Sequence, residues 1–238
     1  MKRFFSTLST IAACSIVTPF APLAFAQPNN PSSAERFAKP SDELVARENK
    51  YWKRIPLEVP ADIVLETSGI LPLPGQRLLV TTRRGEVYFI DGAFAAEPKL
   101  TFSLFASGLH EPLGIIAAPA PRKGYYVAQR AELTRLEDTD GDGVADRYET
   151  LSNNWGYAEG HEFAFASKPD PEGNVWVALG LSGSYESHNL FRGWAVKVTP
   201  DGRMIPMCSG LRSPGGVAAN AQGAMFVIES QGPWNGSC

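Results

Sequence analysis

The stretch EGNVWVALG, residues 172–180, belongs to a set of four similar stretches that decide the fold of this 238-residue chain. In each stretch a glycine precedes an apolar, β-prone run, and the four glycines lie 49, 49 and 50 residues apart. A fixed period of this size indicates an array of repeated supersecondary units. Blades of about four strands and 40–50 residues build β-propellers, so we predict an all-β propeller. The four stretches are GQRLLVTT (75–82), GYYVAQ (124–129), GNVWVALG (173–180) and GAMFVIES (223–230).

Other runs assign a letter to each strand of the predicted blade. SGLHEPLG (107–114) recurs two repeats later as SGLRSPGG (209–216). The segment after this motif, such as GIIAAP (114–119), is predicted to be the innermost strand A, and the run after the turn glycine is strand B. The segment ending in SGL is the outer strand D. Strand C is predicted at EVYFID (86–91), LTRLED (133–138) and WAVKVTP (194–200).

The repeats begin near residue 60 and supply about three and a half blades, because the fourth has strands A and B but no C or D. Propellers close with typically 4–8 blades, and an open one leaves unpaired sheet edges. We therefore expect residues 60–238 to be an incomplete propeller with further blades after Cys238.

The N-terminus has the pattern of a signal peptide over residues 1–26. Lys2 and Arg3 precede an apolar stretch, and Ala24-Phe25-Ala26 offers small residues for cleavage. This pattern predicts export, to the periplasm or outside the cell, with no membrane span once the signal is removed. Within 27–59, residues 27–40 are predicted to be disordered and residues 41–53 to form a helix capped by Ser41.

Composition excludes some functions and leaves others open. Without Lys2 and Arg3 the chain has 20 basic and 25 acidic side chains, with no basic stripe, so no nucleic-acid partner is predicted. Cys208 and Cys238 remain after cleavage. They either pair in the oxidising compartment or stay as two thiols, and the sequence favours neither alternative.

The segment DTDGDGVADRYE, residues 138–149, fits the twelve-residue calcium loop at every position. A hard cation takes six to eight oxygen ligands, and closely spaced carboxylates would repel one another without it. A solvated acidic hairpin is the alternative. The predicted ligands are Asp138, Asp140, Asp142, the carbonyl of Val144, Asp146 and Glu149, with Gly143 permitting the sharp turn.

The calcium loop follows strand C, so we place it in the connection between strands C and D. The preceding LTRLE alternates as a strand and not as the helix of an EF-hand. The ion is therefore predicted to be structural, ordering a long connection.

Polar residues gather in the D-to-A loops, on the face opposite the calcium loop. His110, His161 and Arg212 occupy matching places, 14, 12 and 11 residues before their turn glycines. Together with Glu111, Glu162 and the arginines of the B-to-C connections, they predict an anion-accepting pocket with a proton acceptor. The alternatives are a hydrogen-bonded structural role for each histidine and a loop-capping role for Arg212.

Two segments resemble a known family: HEFAFASKPDPEGNVWVALG (161–180) and GLRSPGGVAANAQGAMFVIESQGP (210–233). They are similar to the soluble quinoprotein glucose and sorbosone dehydrogenase superfamily. These proteins are six-bladed propellers that use pyrroloquinoline quinone. The LHEPLG motif, the acidic insert and QGPWNGSC resemble the exported subgroup that often carries a C-terminal c-type cytochrome domain.

The resemblance implies roles for particular residues. His161 falls on the family's catalytic base, and Arg212 falls on the arginine that contacts the quinone. Gly232 and Pro233 fall on a turn whose backbone oxygens bind the cofactor calcium. Glu162 departs from the family, which usually has glycine there.

We therefore expect an exported quinoprotein-dehydrogenase-like propeller that oxidises a sugar or polyol and that shows no turnover as this chain alone. A cytochrome c electron acceptor is implied, and haem c only if a downstream domain exists. The alternative is a non-catalytic, calcium-stabilised propeller that binds a carbohydrate or a protein.

Replacing Asp140 and Glu149 together by alanine should abolish one calcium site and lower the melting temperature, because two carboxylate ligands are lost. Calorimetric titration with calcium and thermal unfolding measure the two effects. If neither changes, the loop is a solvated turn.

Overall fold

The computed structural model describes residues 41–158, 160–181 and 187–229, except for the side chain of Ala166. The predicted signal peptide, the segment 27–40, Gly232, Pro233 and Cys238 lie outside these residues. The chain divides into two units, Met1–Ile55 and Pro56–Cys238. Within the described part, no helix is long and apolar enough to cross a membrane.

The predicted helix over residues 41–53 is shorter in the structure. Helix α1 covers Asp42–Glu48, and the side chain of Ser41 caps it by accepting a 3.2 Å hydrogen bond from the amide of Leu44. None of its residues is buried, so tertiary packing does not extend it beyond Asn49. The N-cap and the acidic first turn were readable from sequence, but the C-terminal end was not.

Fourteen strands in the described residues form four antiparallel sheets, ordered β1-β2-β3-β4, β5-β6-β7-β8, β12-β11-β10-β9 and β13-β14. The predicted B and C strands are all present, and the outer strand of the second sheet begins at Arg147, inside the predicted calcium loop. The strands are β1 (Thr67–Leu73), β2 (Arg77–Thr82), β3 (Val87–Asp91), β4 (Thr101–Ala106), β5 (Gly114–Ala117), β6 (Tyr125–Ala128), β7 (Leu133–Glu137), β8 (Arg147–Ser152), β9 (Ala164–Pro169), β10 (Val175–Leu179), β11 (Trp194–Val198), β12 (Met204–Ser209), β13 (Pro214–Ala219) and β14 (Met225–Glu229).

The first strands of the four sheets are neighbours in space. Strand β5 contacts β1 and β9, and β9 also contacts β13. A parallel bridge between Leu113 and Phe165 joins the entrances to β5 and β9. The sheets are therefore arranged as consecutive propeller blades with strand A innermost, as the sequence period predicted.

The periodic glycines lie in the turns between strands A and B, each with a positive φ: 76° at Gly75, 88° at Gly124, 81° at Gly173 and 83° at Gly223. Residues that carry a side chain rarely adopt this backbone conformation. At Gly124 a Cβ atom would also lie 2.0 Å from the carbonyl oxygen of Leu136. The repeat in the sequence therefore records a backbone requirement that recurs in each blade.

The core lies between the blades, because the B strands of the first three sheets are buried on both faces. In β6, Tyr126 packs in the cluster shared with the third sheet, while Val127 packs in the cluster shared with the first. In β10, Val177 faces the second sheet and Ala178 faces the fourth. Full burial of a side chain such as Val177 contributes about 1.5–3 kcal/mol.

The A-to-B turn of the third sheet is fastened by Asp170. Its carboxylate accepts hydrogen bonds from the amides of Glu172 (3.1 Å) and Asn174 (2.9 Å) and from the indole of Trp176 (2.9 Å). Burial opposes ionisation of Asp170, but the hydrogen bonds from Asn174 and Trp176 outweigh it and lower the pKa of the carboxyl below 3.8.

Replacing Asp170 by asparagine should lower the free energy of unfolding at pH 7 by about 1–3 kcal/mol, because a charged acceptor of several hydrogen bonds is lost. The folded-state pKa is depressed, so this stabilisation is present above about pH 3.8 and is lost as the pH falls through the folded-state value. Urea unfolding at pH 7 and at pH 3 measures both effects. The difference in the free energy of unfolding between the variant and the wild type should be smaller at pH 3 than at pH 7. The control Glu97→Gln, at an exposed position, should match the wild type at pH 7. A difference that is the same at both pH values would contradict this role of Asp170.

Candidate functional site

The strand connections fall on two opposite ends of the sheets. The upper face carries the D-to-A loops and the B-to-C connections, and the lower face carries the A-to-B turns and the C-to-D connections. The described parts of the upper face are 83–86, 107–113, 129–132, 153–158, 160–163, 180–181, 187–193 and 210–213. The lower face consists of 74–76, 92–100, 118–124, 138–146, 170–174, 199–203 and 220–224.

His161 and Arg212 lie on neighbouring loops of the upper face, and the backbone carbonyls of both approach Gly180. A Cβ atom at Gly180 would be 3.4 Å from the carbonyl oxygen of His161 and 3.4 Å from that of Arg212. The amide of Leu181 donates a 2.9 Å hydrogen bond to the Arg212 carbonyl, and the amide of Gly180 donates a 3.0 Å bond to the Phe163 carbonyl. The fold therefore brings together two predicted residues that are far apart in sequence.

The two residues differ in their surroundings. His161 is exposed, whereas Arg212 is half-buried. The carboxylate of Glu229, at the end of β14, accepts 2.8 Å hydrogen bonds from the amides of Arg212 and Ser213. Glu229 thus holds the loop that carries Arg212.

A carboxylate held by two arginines lies beside the loop of His161. Glu111 pairs with Arg83 at 3.0 Å and with Arg130, and both guanidinium groups lie over the ring of Phe163, at 5.5 and 4.2 Å from its centre. Burial opposes ionisation of Glu111, but the hydrogen bonds from Arg130 and Arg83 outweigh it and lower the pKa of the carboxyl. The cluster keeps one excess positive charge, and the side chain of Arg83 is 55% exposed.

Arg130 also fastens the segment before His161. Its guanidinium donates a 2.9 Å hydrogen bond to the carbonyl of Gly160, and its amide donates a 3.2 Å bond to the carbonyl of His110. The exposed ring of His110 packs edge-on against Tyr157 at 5.1 Å. The backbone of His110 is therefore fixed by hydrogen bonds, and its ring lies against Tyr157.

A buried ion pair lies under the upper face. Arg192 and Glu162 are 3.7 Å apart, and their side chains are 0% and 1% exposed. Glu162 accepts hydrogen bonds from the amide of Ala158 (2.6 Å), from Asn189 (2.8 Å) and from Ser187. The residue that departs from the family pattern therefore organises the loops around it.

Arg192 supplies the other half of this organisation. Its guanidinium donates hydrogen bonds of 2.6, 2.8 and 2.7 Å to the carbonyls of Gly156, Phe163 and Arg130. Burial lowers the pKa of Arg192 to about 10, so it stays charged at neutral pH. No spacing or motif marks Arg192, and its partners come from separate loops, so the sequence did not reveal it.

The acidic loop lies on the lower face, in the predicted C-to-D connection. Carboxylate oxygens of Asp138, Asp140 and Asp142 all lie within 4.8 Å of one another. Hydrogen bonds from the amides of Gly143 (2.9 Å) and Gly141 (2.7 Å) lower the pKa of Asp138. This half of the loop has oxygen ligands of the kind that calcium takes.

The remaining predicted ligands lie apart from this cluster. Asp146 accepts a 2.9 Å hydrogen bond from the amide of Thr139. Glu149 belongs to β8, where its carboxylate pairs with Arg135 at 2.7 Å and with Arg122 at 3.4 Å. Val144 is 47% exposed. A single Asp140→Ala variant therefore separates loss of a metal ligand from loss of the Glu149 ion pairs.

The acidic loop also joins two blades. The amide of Ala145 donates a 2.7 Å hydrogen bond to the carbonyl of Phe105 in β4, and the Ala145 side chain packs in the core cluster shared by the first two sheets. Ordering this loop would therefore brace the interface between those sheets.

Comparisons with known proteins identify the family. Residues 100–236 match the domain of unknown function DUF7133. The chain belongs to this family. A search of curated proteins found no match.

Solved structures show the same fold. The chain is similar to the holo form of the pyranose dehydrogenase PQQ domain from Coprinopsis cinerea, with 16% identity, a TM-score of 0.56, and coverage of 68% of this chain and 43% of that one. It is also similar to an oxidoreductase (glucose dehydrogenase) from Thermus thermophilus, with 20% identity, a TM-score of 0.51, and coverage of 68% and 57%. The chain thus spans about half the length of these neighbours. The resemblance to quinoprotein-dehydrogenase-like propellers is confirmed at the level of the fold.

Replacing Arg192 by methionine should destabilise the protein by about 3–5 kcal/mol, because Glu162 would stay buried without its ionic partner. Chemical denaturation measures the loss. The control is Arg203→Met, an exposed position on the lower face, where a change within about 0.5 kcal/mol is expected. Equal effects of the two variants would show that the buried pair does not organise the loops.

Proposed function

We propose that this chain is part of an exported quinoprotein-dehydrogenase-like enzyme that oxidises a sugar or polyol at the upper face. The observation that supports the proposal is that the backbone carbonyls of His161 and Arg212 both approach Gly180, which puts their loops side by side on the upper face. These are the two described residues to which the family resemblance gives a chemical role.

The arginines of the upper face fit an anionic quinone in kind. Pyrroloquinoline quinone carries carboxylates, and arginine is the residue best suited to hold a planar carboxylate in two hydrogen bonds. Arg212 would hold the quinone, and the exposed guanidinium of Arg83 adds positive charge to the same face. Gly232 and Pro233, which would hold the cofactor calcium, lie outside the described residues.

His161 would remove the proton from the hydroxyl of the substrate. An exposed imidazole next to the arginine loop can reach a bound alcohol and accept its proton as a general base. A bound quinone supplies the two-electron acceptor. Electrons would then pass to a cytochrome c, and the calcium of the acidic loop would act structurally, remote from this chemistry.

The buried pair beneath the loop explains how His161 would be held. Glu162 follows His161 directly, and its carboxylate is fixed by the amide of Ala158 in the same loop and by Asn189 in the following one. Arg130 binds the carbonyl of Gly160 on the other side of His161. A base flanked by two fixed residues loses little freedom on binding substrate.

Titration of the protein with pyrroloquinoline quinone and calcium, followed calorimetrically, tests the assignment of Arg212. Arg212→Ala should weaken quinone binding about 10- to 100-fold, because a charge-assisted contact is lost. The matched control Arg203→Ala, on the lower face, should bind as the wild type does. Unchanged affinity in Arg212→Ala would count against the cofactor assignment.

The same titration followed by NMR of the histidine side chains tests His161 without requiring turnover. The quinone should shift the imidazole signals of His161, which are assigned by their loss in His161→Gln. A shift confined to other histidines would remove His161 from the site.

A further inference from the structure

A cavity of about 460 Å³ that is open to solvent lies on the lower face between the first two blades. Its walls come from the first A-to-B turn, from the ends of β2 and β3 nearest that turn, and from the start of β6. This volume falls in the range of small-molecule sites. The lining residues are Leu73, Pro74, Gly75, Arg77, Phe89, Asp91 and Tyr125.

One wall of the cavity is a fixed aromatic surface. Tyr125 is half-buried, and its ring packs edge-on against Phe89 and Phe105, with ring centres 6.2 and 5.5 Å away. Burial raises the pKa of Tyr125, so the phenol stays neutral at physiological pH. Phe105 is itself held at its backbone by Ala145 of the acidic loop. The ring of Tyr125 is therefore presented rigidly.

Another part of the lining is a charge-neutral polar pair. The guanidinium of Arg77 donates two hydrogen bonds to Asp91, from Nε at 2.7 Å and from a terminal nitrogen at 3.0 Å. The side chains are 43% and 38% exposed, so solvent reaches both. Arg77 also lies over the ring of Phe89, 4.8 Å from its centre. Guanidinium has five N–H donors, and a carboxylate has further lone pairs, so the pair keeps both donors and acceptors for a ligand.

The aromatic surface and the Arg77–Asp91 pair together favour one class of ligand. An ionic ligand would have to compete with a two-point ion pair whose charges already cancel, and a purely apolar ligand would leave the exposed polar groups unsatisfied. A sugar ring has an apolar C–H face for an aromatic wall and hydroxyls that both donate and accept. We propose that this cavity binds one or two neutral sugar units, with a ring against Tyr125 and hydroxyls on Arg77 and Asp91.

This site is separate from the proposed dehydrogenase site, because it lies on the lower face and His161 lies on the upper face. It would act as a holding site for a carbohydrate and would involve no bond making or breaking. Its failure or success is independent of quinone binding.

Calorimetric titration with cellobiose and with maltose, with glucuronate as the charged comparison, tests the proposal. At least one of the neutral disaccharides should bind saturably to the wild type and more tightly than glucuronate. Tyr125→Ala should weaken this binding at least about tenfold, because the aromatic wall is lost. Tyr125→Phe should keep it, because the ring face remains.

Two controls separate the site from general effects on the fold. Tyr88 belongs to the first sheet, packs on Phe102 and does not line the cavity. The Tyr88→Ala variant should therefore bind the disaccharide as the wild type does. Arg203→Ala, at an exposed lower-face position that does not line the cavity, should also leave sugar binding unchanged.

If Tyr125→Ala fails to fold, Asp91→Asn tests the proposal instead, because Asp91 is partly exposed and its replacement should leave the fold intact. This variant leaves Arg77 with an uncompensated charge, so the preference for neutral sugar over glucuronate should fall or reverse. The absence of saturable binding to either disaccharide would overturn the proposal, as would equal losses in Tyr125→Ala and Tyr88→Ala, or an unchanged preference in Asp91→Asn.

Discussion

Burial of the B strands of the first three sheets on both faces is the constraint on which the structure depends. Val127 and Tyr126 are adjacent in sequence, yet they fill different cores on opposite sides of one sheet. Each blade therefore completes the core of the next, and no single sheet could bury its apolar residues alone. This coupling fixes the distance between blades and brings consecutive D-to-A loops to one end.

The upper face is shaped by the need to satisfy buried polar groups. Arg192 and Glu162 have no access to water, and each is surrounded by partners from loops that would otherwise be independent. An uncompensated charge at this depth would be strongly destabilising, so the loops hold one arrangement. The exposed imidazole of His161 rests on this arrangement, while the cluster of Arg83, Glu111 and Arg130 adds positive charge beside it.

The lower face has a different design. There the acidic loop touches the first blade through Ala145, and the aromatic residues beneath it support the cavity beside Tyr125. An ion in the acidic loop would neutralise carboxylates that repel one another, and so would stiffen the interface between the first two blades. The two faces could therefore work independently on one scaffold.

The sequence by itself determined the blade. Gly75, Gly124, Gly173 and Gly223 recur because each A-to-B turn requires a positive φ, and this local requirement leaves a periodic trace that needs no knowledge of the fold. The acidic loop was readable for the same reason, since residues 138–144 keep a fixed short spacing. The position of His161 and Arg212 on one face followed from counting strands.

Tertiary structure alone decided which side chains meet. Glu149 fits the calcium motif by spacing, but strand pairing places it opposite Arg135 and draws its carboxylate into an ion pair. Arg192 carries no motif, yet it binds carbonyls from separate loops, which depends on burial and on the path of the backbone. Periodicity reports what each residue needs from its immediate neighbours, whereas pairing between distant loops depends on how the blades pack, and no local pattern records that.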